Sequence, residues 1–254
     1  MKYAIIGGTG VYSVDGTLRS ESLDTPYGTV DVEILSKEGK EIVFLPRHGK
    51  RHDLPPHMIN YKANMMALKT MGVTHILATC AVGSCDENYA PGHIVVLKDF
   101  LDFTKDRDLT FHDGSGGVKH TDMSDPYCKN LRDHVKAEAE SMGLSLSGQA
   151  VYVCTQGPRF ETASEIKFYR SIGGQVVGMT NVPEVVLAKE LGMCYAACGI
   201  VTNWCTGFES QISVHDIQNA VGENKSLLTR LFINVFSNQL QTDKCHCTSA
   251  VMAL

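Results

Sequence analysis

Two short turns in this 254-residue chain carry residue types that bind anions. The run Gly7-Gly8-Thr9-Gly10 directly follows a short apolar segment. Its glycines allow backbone N–H groups to turn inward around an anion, and the threonine hydroxyl adds a donor. Arg47-His48-Gly49 follows a second apolar segment, and arginine presents a planar fork of donors that matches phosphate oxygens. Together they predict a phosphate site. Alternatively, the glycine run is a tight turn after a strand, and the Arg47-His48 pair belongs to a solvated loop.

Two polar residues stand in small or apolar company further along the chain. Glu161 lies in the run Gln156-Gly157-Pro158-Arg159-Phe160-Glu161-Thr162, and Asn203 ends the apolar run that begins at Gly199. A carboxylate only accepts hydrogen bonds, whereas an amide both donates and accepts them. The two residues could therefore recognise a polar ligand. Alternatively, Glu161 caps the helix that follows it and Asn203 turns a loop.

Short apolar runs that alternate with longer periodic segments indicate the architecture. Valine- and isoleucine-rich runs predict strands at 3–6, 30–35, 41–45, 75–81, 94–97, 149–153, 176–178 and 194–201. Periodic segments predict helices at 58–71, 129–142, 161–172, 183–191 and 215–241. Ser124-Asp125-Pro126 and Thr180-Asn181-Val182-Pro183-Glu184 have the composition of helix starts.

This alternation predicts the α/β fold class, with a largely parallel, mixed central sheet flanked by helices. We expect a single domain over residues 1–254, with a C-terminal tail from about residue 243. In such folds ligands collect outside the carboxyl ends of the strands. The motifs described above mostly lie at such positions.

Composition and charge restrict the class of partner. The hydrophobic content of 43% and charged content of 20% are ordinary for a globular protein. A net charge of −5 offers no basic surface for nucleic acid. Apolar runs fall short of the roughly 18 residues that cross a bilayer, and the first apolar segment is too short for a signal peptide. We therefore expect a cytoplasmic protein with neither a membrane nor a nucleic acid as partner.

Nine cysteines are many for a cytosolic chain. Cys154, Cys194 and Cys198 fall in apolar stretches, where a free thiol behaves as a small hydrophobe. The run Cys245-His246-Cys247 lacks a second ligand pair at the usual spacing, so spacing predicts no metal site. A local redox pair is one alternative for this run, and a frayed terminus is the simpler expectation.

Together, these motifs resemble those of the trimeric purine nucleoside phosphorylase and methylthioadenosine phosphorylase family. The resemblance covers nearly the whole chain and includes both glycine turns and the run from Gly178 to Glu184. It implies phosphorolysis of the N-glycosidic bond of a purine nucleoside, with inorganic phosphate as co-substrate, no other cofactor and a homotrimer. Such an enzyme positions phosphate against the anomeric carbon and stabilises the negative charge that grows on the departing purine.

The resemblance also implies which residues hold phosphate. They are Thr9, Arg47, His48 and Thr180, together with the turn that begins Cys80-Ala81. The family pattern there is Thr-Ala-x-Gly-Ser, whereas this chain has Cys80-Ala81-Val82-Gly83-Ser84. Because cysteine replaces a threonine hydroxyl, we expect somewhat weaker phosphate binding.

At the base, the resemblance places Phe160, Glu161 and Asn203, and it gives catalytic roles to Asn203 and His48. A 6-oxopurine carries an N1–H that pairs with the Glu161 carboxylate, whereas the bare N1 lone pair of adenine is repelled. Asn203 can donate to N7 or O6 of the purine, or turn its amide to use both of its edges. Family members that prefer adenine have a small hydroxyl residue and an aspartate at these two places. Because leaving a buried carboxylate unpaired is costly, the discrimination can be large.

At the sugar, the resemblance places Met179 beneath the ribose and His120 in the pocket of a neighbouring subunit. An ungapped count puts Val214 where ribonucleoside phosphorylases have a histidine, with Ile217 one helical turn later on the same face. Such an apolar pocket favours a methylthio group over a hydroxyl. A shift of one residue would instead bring His215 to the sugar.

The sequence thus predicts a phosphorylase that converts S-methyl-5′-thioinosine and phosphate to hypoxanthine and 5-methylthioribose 1-phosphate. The alternatives are a methylthioadenosine phosphorylase, an inosine and guanosine phosphorylase, and a non-catalytic nucleoside-binding protein. A dinucleotide-binding oxidoreductase is disfavoured, because no acidic residue ends a second apolar strand at the expected place.

Overall fold

The computed structural model describes residues 2–8, 18–37, 39–49, 53–208, 214–238, 240 and 245–253. Its strands are β1 (Lys2–Gly7), β2 (Leu18–Thr25), β3 (Gly28–Lys37), β4 (Lys40–Pro46), β5 (Val73–Ser84), β6 (Ile94–Phe103), β7 (Lys119–Thr121), β8 (Gln149–Thr155), β9 (Val176–Gly178), β10 (Cys194–Trp204) and β11 (Val251–Ala253). Its α-helices are α1 (Tyr61–Thr70), α2 (Lys129–Ser141), α3 (Ala163–Ser171), α4 (Asn181–Glu190) and α5 (Val214–Ser237). The predicted strands and helices are all present, with shifted ends.

Nine strands form one mixed sheet in the order β10-β6-β8-β9-β5-β1-β4-β3-β2. Strand β10 also pairs with β5, so this end of the sheet closes on itself. Parallel pairs join β1 to β4 and β5, β5 to β10, and β8 to β6 and β9. The predicted α/β class is confirmed. Antiparallel pairs are more numerous than a largely parallel sheet implies. Short turns make β2–β3 and β3–β4 antiparallel, and β10–β6 and β5–β9 are antiparallel as well.

Strand β2 is the main element that the sequence pattern does not indicate. It lies at the sheet edge and pairs with β3. Its sequence, Leu-Arg-Ser-Glu-Ser-Leu-Asp-Thr, is largely polar and its described side chains are mostly exposed. A strand with little buried surface lacks the apolar alternation by which strands are recognised.

Helices cover both faces of the sheet. Along β1, Ala4 and Ile6 pack in the layer that contains α1 and α4, whereas Tyr3 and Ile5 pack in the layer that contains α2 and α5. This split follows from the two-residue period of a strand, which points successive side chains to opposite faces. Both faces of β1 are buried, which is why its sequence is continuously apolar.

The segment 245–253 differs from the frayed end that the sequence predicts. Strand β11 pairs with β7, Cys247 and Ala250 are buried, and the Ala250 carbonyl accepts a hydrogen bond from the backbone N–H of Asp122. The chain end is therefore docked on the domain. Among the described residues, no helix has the length and apolar character needed to cross a membrane.

Candidate active site

A cavity of about 210 Å³ lies where several strands end, and it brings together most of the predicted site residues. Its lining comprises Arg47, His48, Pro56, Cys80, Ala81, Val82, Gly83, Phe160, Glu161, Val177, Gly178, Met179, Thr180, Thr202, Asn203, Cys205 and Thr206. Strands β4, β5, β9 and β10 and the residues directly after them supply most of this lining, because these strands are neighbours in the sheet, whereas Phe160 and Glu161 come from the loop before α3. Residues far apart in the sequence thus form one pocket, whose largely apolar lining carries several polar side chains.

Arg47 and Glu184 form a buried two-point ion pair at this cavity. The Arg47 Nε and Nη2 atoms each lie 2.6 Å from a carboxylate oxygen of Glu184, and Nη1 donates to the Thr79 carbonyl at 2.7 Å. Both side chains of the pair are fully buried. A guanidinium has five N–H donors. The three bonds above therefore use three of these donors, and one N–H on each terminal nitrogen of Arg47 is not used by them.

The positive charge of Arg47 is maintained by its surroundings. Burial alone would lower the pKa of the Arg47 guanidinium, but the adjacent Glu184 carboxylate outweighs it and holds that pKa well above its ordinary value. The Tyr195 hydroxyl lies 2.5 Å from Glu184 Oε1 and adds a donor to the carboxylate. Arg47 is thus a permanent cation held in a rigid position.

Gly8 permits the close approach of Arg47. A Cβ atom at this position would lie 2.5 Å from the Thr79 carbonyl oxygen and 2.9 Å from Arg47 Nη1. The first distance is to backbone, which a rotamer change cannot relieve. Glycine at position 8 is therefore required for this packing. This role differs from the one predicted from the sequence, in which the glycines let backbone N–H groups surround an anion.

His48 and Thr180 both line the cavity. His48 Nδ1 is 2.8 Å from the Leu54 carbonyl; because a carbonyl only accepts, Nδ1 carries the proton in this bond. Thr180 is the N-cap residue of α4, yet its side chain makes no capping bond in the described structure. Its backbone N–H donates to the Tyr152 hydroxyl at 3.1 Å. The Thr180 hydroxyl is therefore not consumed by the helix start.

Cys80 lines the cavity beside these residues. Burial raises the pKa of the Cys80 thiol to about 12. The side chain is therefore a neutral thiol near neutral pH, and a thiol is a weak hydrogen-bond donor.

Glu161 faces the cavity and does not cap the following helix. The N-cap of α3 is Thr162, which forms a reciprocal capping box with Glu165. Glu161 instead accepts a hydrogen bond of 2.6 Å from the Thr155 hydroxyl through Oε1. Among the described residues Oε2 has no hydrogen-bond partner. The carboxylate is thus oriented by Thr155 and keeps an accepting oxygen.

Asn203 is oriented by its two neighbours. Its Nδ2 donates to the Trp204 carbonyl at 2.8 Å, and its Oδ1 accepts from the Thr202 hydroxyl at 2.7 Å. Because a backbone carbonyl can only accept, the first bond fixes which end of the amide is nitrogen. One N–H and one lone pair of the amide remain for a ligand.

Phe160 and Met179 supply apolar surface to the cavity. Phe160 is half exposed, with 52% of its surface accessible. Met179 packs against Gly157, where a Cβ atom would approach the Met179 sulfur to 2.6 Å and φ is +63°. Glycine at 157 therefore makes room for Met179, and both conformation and space require it.

Four predicted site residues cannot be placed at this cavity from the described structure. Thr9 lies outside the described residues. Val214 and Ile217 belong to α5, but their side chains are outside the described part. His120 is exposed on β7 and is absent from the described lining of the cavity.

Three residues that position the site were missed by the sequence reasoning. Glu184 holds Arg47, and Thr155 holds Glu161, as described above. Arg107 donates to the Val182 carbonyl at 2.7 Å and to the Gln156 carbonyl at 2.8 Å, so it ties two loops of the site together. For Glu184, the only local signal is an acidic residue three positions after the first residue of α4.

Comparison with known proteins agrees with this geometry. Residues 2–234 match the model of the Phosphorylase superfamily, and the chain belongs to that superfamily. The resemblance drawn from the motifs is thereby confirmed.

Individual relatives span almost the full chain. A Pyrococcus furiosus protein named 6-oxopurine nucleoside phosphorylase is 41% identical and covers 98% of this chain and 97% of its own. A Methanothermobacter thermautotrophicus protein named probable S-methyl-5′-thioinosine phosphorylase is 44% identical, and the match covers 97% of this chain and 88% of that protein. The structure of methylthioadenosine phosphorylase from Schistosoma mansoni in complex with adenine is similar to this chain, with a TM-score of 0.85 and 31% sequence identity. The match covers 94% of this chain and 92% of that chain.

Proposed function

We propose that the protein catalyses phosphorolysis of the N-glycosidic bond of 6-oxopurine nucleosides, with S-methyl-5′-thioinosine as its best substrate. The products are hypoxanthine and 5-methylthioribose 1-phosphate. The observation that carries this proposal is the presence of Glu161 and Asn203 in one cavity with Arg47, His48 and Thr180. The names of relatives at 41% and 44% identity support the same class of substrate.

Phosphate binds at the end of the cavity formed by Arg47, His48 and Thr180. The remaining donors of Arg47 hold its oxygens, and Thr180 adds a hydroxyl. The positive charge of Arg47 is balanced by Glu184, so the anion is held mainly by hydrogen bonds of fixed geometry. We include Thr9 in this site on the basis of the family resemblance.

The reaction transfers the sugar from the purine to phosphate. An oxygen of monohydrogen phosphate forms a bond to the anomeric carbon as the bond to N9 of the base breaks, and the bonding electron pair leaves with the purine. The purine anion takes up one proton to give hypoxanthine, and the phosphate group loses one as the sugar phosphate dianion forms. The free N–H of Asn203 donates to N7, where it stabilises this negative charge. Glu161 Oε2 accepts N1–H of the 6-oxopurine and so selects the base.

The 5′ group of the sugar distinguishes S-methyl-5′-thioinosine from inosine and guanosine. In our proposal Val214 and Ile217 form an apolar pocket for the methylthio group. Inosine and guanosine are the second candidate, because several relatives are named 6-oxopurine nucleoside phosphorylases without reference to a methylthio group. Methylthioadenosine is the third, since the solved relatives act on adenine nucleosides by name.

We also propose that the protein acts as a cytoplasmic homotrimer. The exposed position of His120 on β7 supports this part of the proposal, because an exposed histidine is free to enter the sugar pocket of a neighbouring subunit. Inorganic phosphate is the only co-substrate that the reaction needs.

Phosphorus NMR tests the proposal directly. The protein is incubated with S-methyl-5′-thioinosine and inorganic phosphate, and a sugar 1-phosphate signal is expected to grow in step with release of hypoxanthine. The reaction without phosphate is the control. Base release that is independent of phosphate would contradict the proposal, and binding of nucleoside without any release would identify a non-catalytic binding protein.

A further inference from the structure

Four cysteines from distant parts of the chain converge at one place in the fold. Cys128 precedes α2, Cys194 begins β10, and Cys245 and Cys247 belong to the docked chain end. Their four sulfur atoms all lie within 4.8 Å of one another. The Sγ atoms of Cys194 and Cys245 are 3.4 Å apart. All four are free thiols, and three of them are buried.

This spacing matches a tetrahedral thiolate site. Zinc bound by four cysteines has Zn–S bonds of about 2.3 Å, which places the sulfurs roughly 3.8 Å apart. No sulfur–sulfur distance in this cluster therefore exceeds the tetrahedral value by more than about 1 Å. Among the described residues, no histidine, aspartate or glutamate belongs to the cluster. A donor set of sulfur alone selects a soft or borderline metal such as zinc over magnesium or calcium.

The sequence expectation of no metal rested on the absence of a second ligand pair near Cys245-His246-Cys247. The fold supplies that pair from residues 128 and 194, which no local spacing rule could detect. Cys128 also stands at the N-cap position of α2, where the helix dipole favours a thiolate.

We propose that Cys128, Cys194, Cys245 and Cys247 bind one Zn²⁺ ion as a structural tetrathiolate site. Binding replaces four S–H bonds by four Zn–S bonds and releases four protons to the solvent. With four protein ligands the ion has no open position, so it takes no part in catalysis. The proposal is independent of the reaction proposed above, because none of the four cysteines is in the described lining of the active-site cavity.

The metal fastens the chain end to the domain. Cys245 and Cys247 would be tied to the starts of α2 and β10, and the adjoining β11 pairs with β7, which carries His120. Loss of the ion is therefore expected to loosen the segment from 245 onward and the strand β7 that it supports.

Metal analysis of the purified chain tests the site. The protein is purified anaerobically, loaded with zinc, desalted and measured by mass spectrometry of the metal, and one zinc per chain is expected. Cobalt loading should give the intense visible absorption of a tetrahedral thiolate complex. Cys247→Ala and, independently, Cys245→Ala should lose both signals. Cys198→Ala is the matched control, because Cys198 is a buried cysteine on the same strand as Cys194. This variant should retain both the bound zinc and the cobalt absorption.

The cobalt spectrum of the unmodified chain makes the test independent of how well the variants fold. A wild-type chain that retains no metal would overturn the proposal, as would metal retained by both tail variants. A disulfide between any two of the four cysteines in the anaerobically purified protein would overturn it as well, because too few thiolates would then remain.

Discussion

The Thr155 hydroxyl lies 2.6 Å from Oε1 of Glu161 and orients a carboxylate that would otherwise rotate freely in the cavity. Both residues are buried. Thr155 ends β8, whereas Glu161 lies in the loop before α3. The sheet therefore fixes the direction of the accepting oxygen that our proposal assigns to base recognition.

Replacing Thr155 by valine should weaken recognition of 6-oxopurines. Valine keeps the shape but removes the donor, and a hydrogen bond of this kind contributes about 1 kcal/mol, or roughly a fivefold change in kcat/KM. We expect that loss for methylthioinosine. Thr110→Val is the matched control, because Thr110 also donates to a glutamate, Glu190, at 2.7 Å but outside the described lining of the cavity. Equal losses in both variants would contradict a positioning role for Thr155.

Changing Glu161 to serine together with Asn203 to aspartate should shift the preference towards adenine nucleosides. The serine removes the carboxylate that repels the bare N1 of adenine, and the aspartate changes the hydrogen-bonding pattern offered to the base. The measured quantity is the ratio of kcat/KM for methylthioadenosine to that for methylthioinosine, which should rise. If the ratio is unchanged, the base is recognised elsewhere.

Replacing Glu184 by alanine should strongly destabilise the protein. It leaves the buried cation of Arg47 without its partner, and breaking a buried pair in this way costs about 3 to 5 kcal/mol. The free energy of unfolding in urea measures the effect. Glu87→Ala is the control, because Glu87 pairs with Arg170 on the surface and should change stability little. Comparable losses in the two variants would show that the Arg47–Glu184 pair is not a structural anchor.

Replacing Cys80 by threonine should tighten phosphate binding. The pKa of the thiol is raised to about 12 by burial, so near neutral pH the side chain is a neutral, weak donor. A hydroxyl in its place adds about 1 kcal/mol of hydrogen bonding, or roughly a fivefold lower KM for phosphate. Cys198→Thr, outside the described cavity lining, should leave the phosphate KM unchanged. An unaltered KM in Cys80→Thr would mean that this side chain does not contact phosphate.

The sequence predicts those parts of the site that depend on local motifs. Arg47, Thr180, Glu161 and Asn203 belong to short runs of unusual composition, and the structure brings them to one cavity. Residues that act only through tertiary contact are not predictable in this way. Glu184 contacts Arg47 across 137 positions, and nothing in its own neighbourhood indicates that partner.

The same distinction holds for the fold. Strands with buried faces carry an apolar pattern and were predicted, whereas the polar edge strand β2 and the short β7 and β11 were not. The cysteine cluster illustrates the limit most clearly. Its ligands come from three separate segments, so their proximity is a property of the folded sheet and not of sequence spacing.

The most direct test of the account compares base release from S-methyl-5′-thioinosine, inosine and S-methyl-5′-thioadenosine, each with and without phosphate. We predict phosphate-dependent release with the highest kcat/KM for methylthioinosine. Dominant inosine cleavage would retain the assigned base site and contradict the apolar pocket at Val214 and Ile217. Dominant methylthioadenosine cleavage would contradict the central claim that Glu161 and Asn203 select a 6-oxopurine.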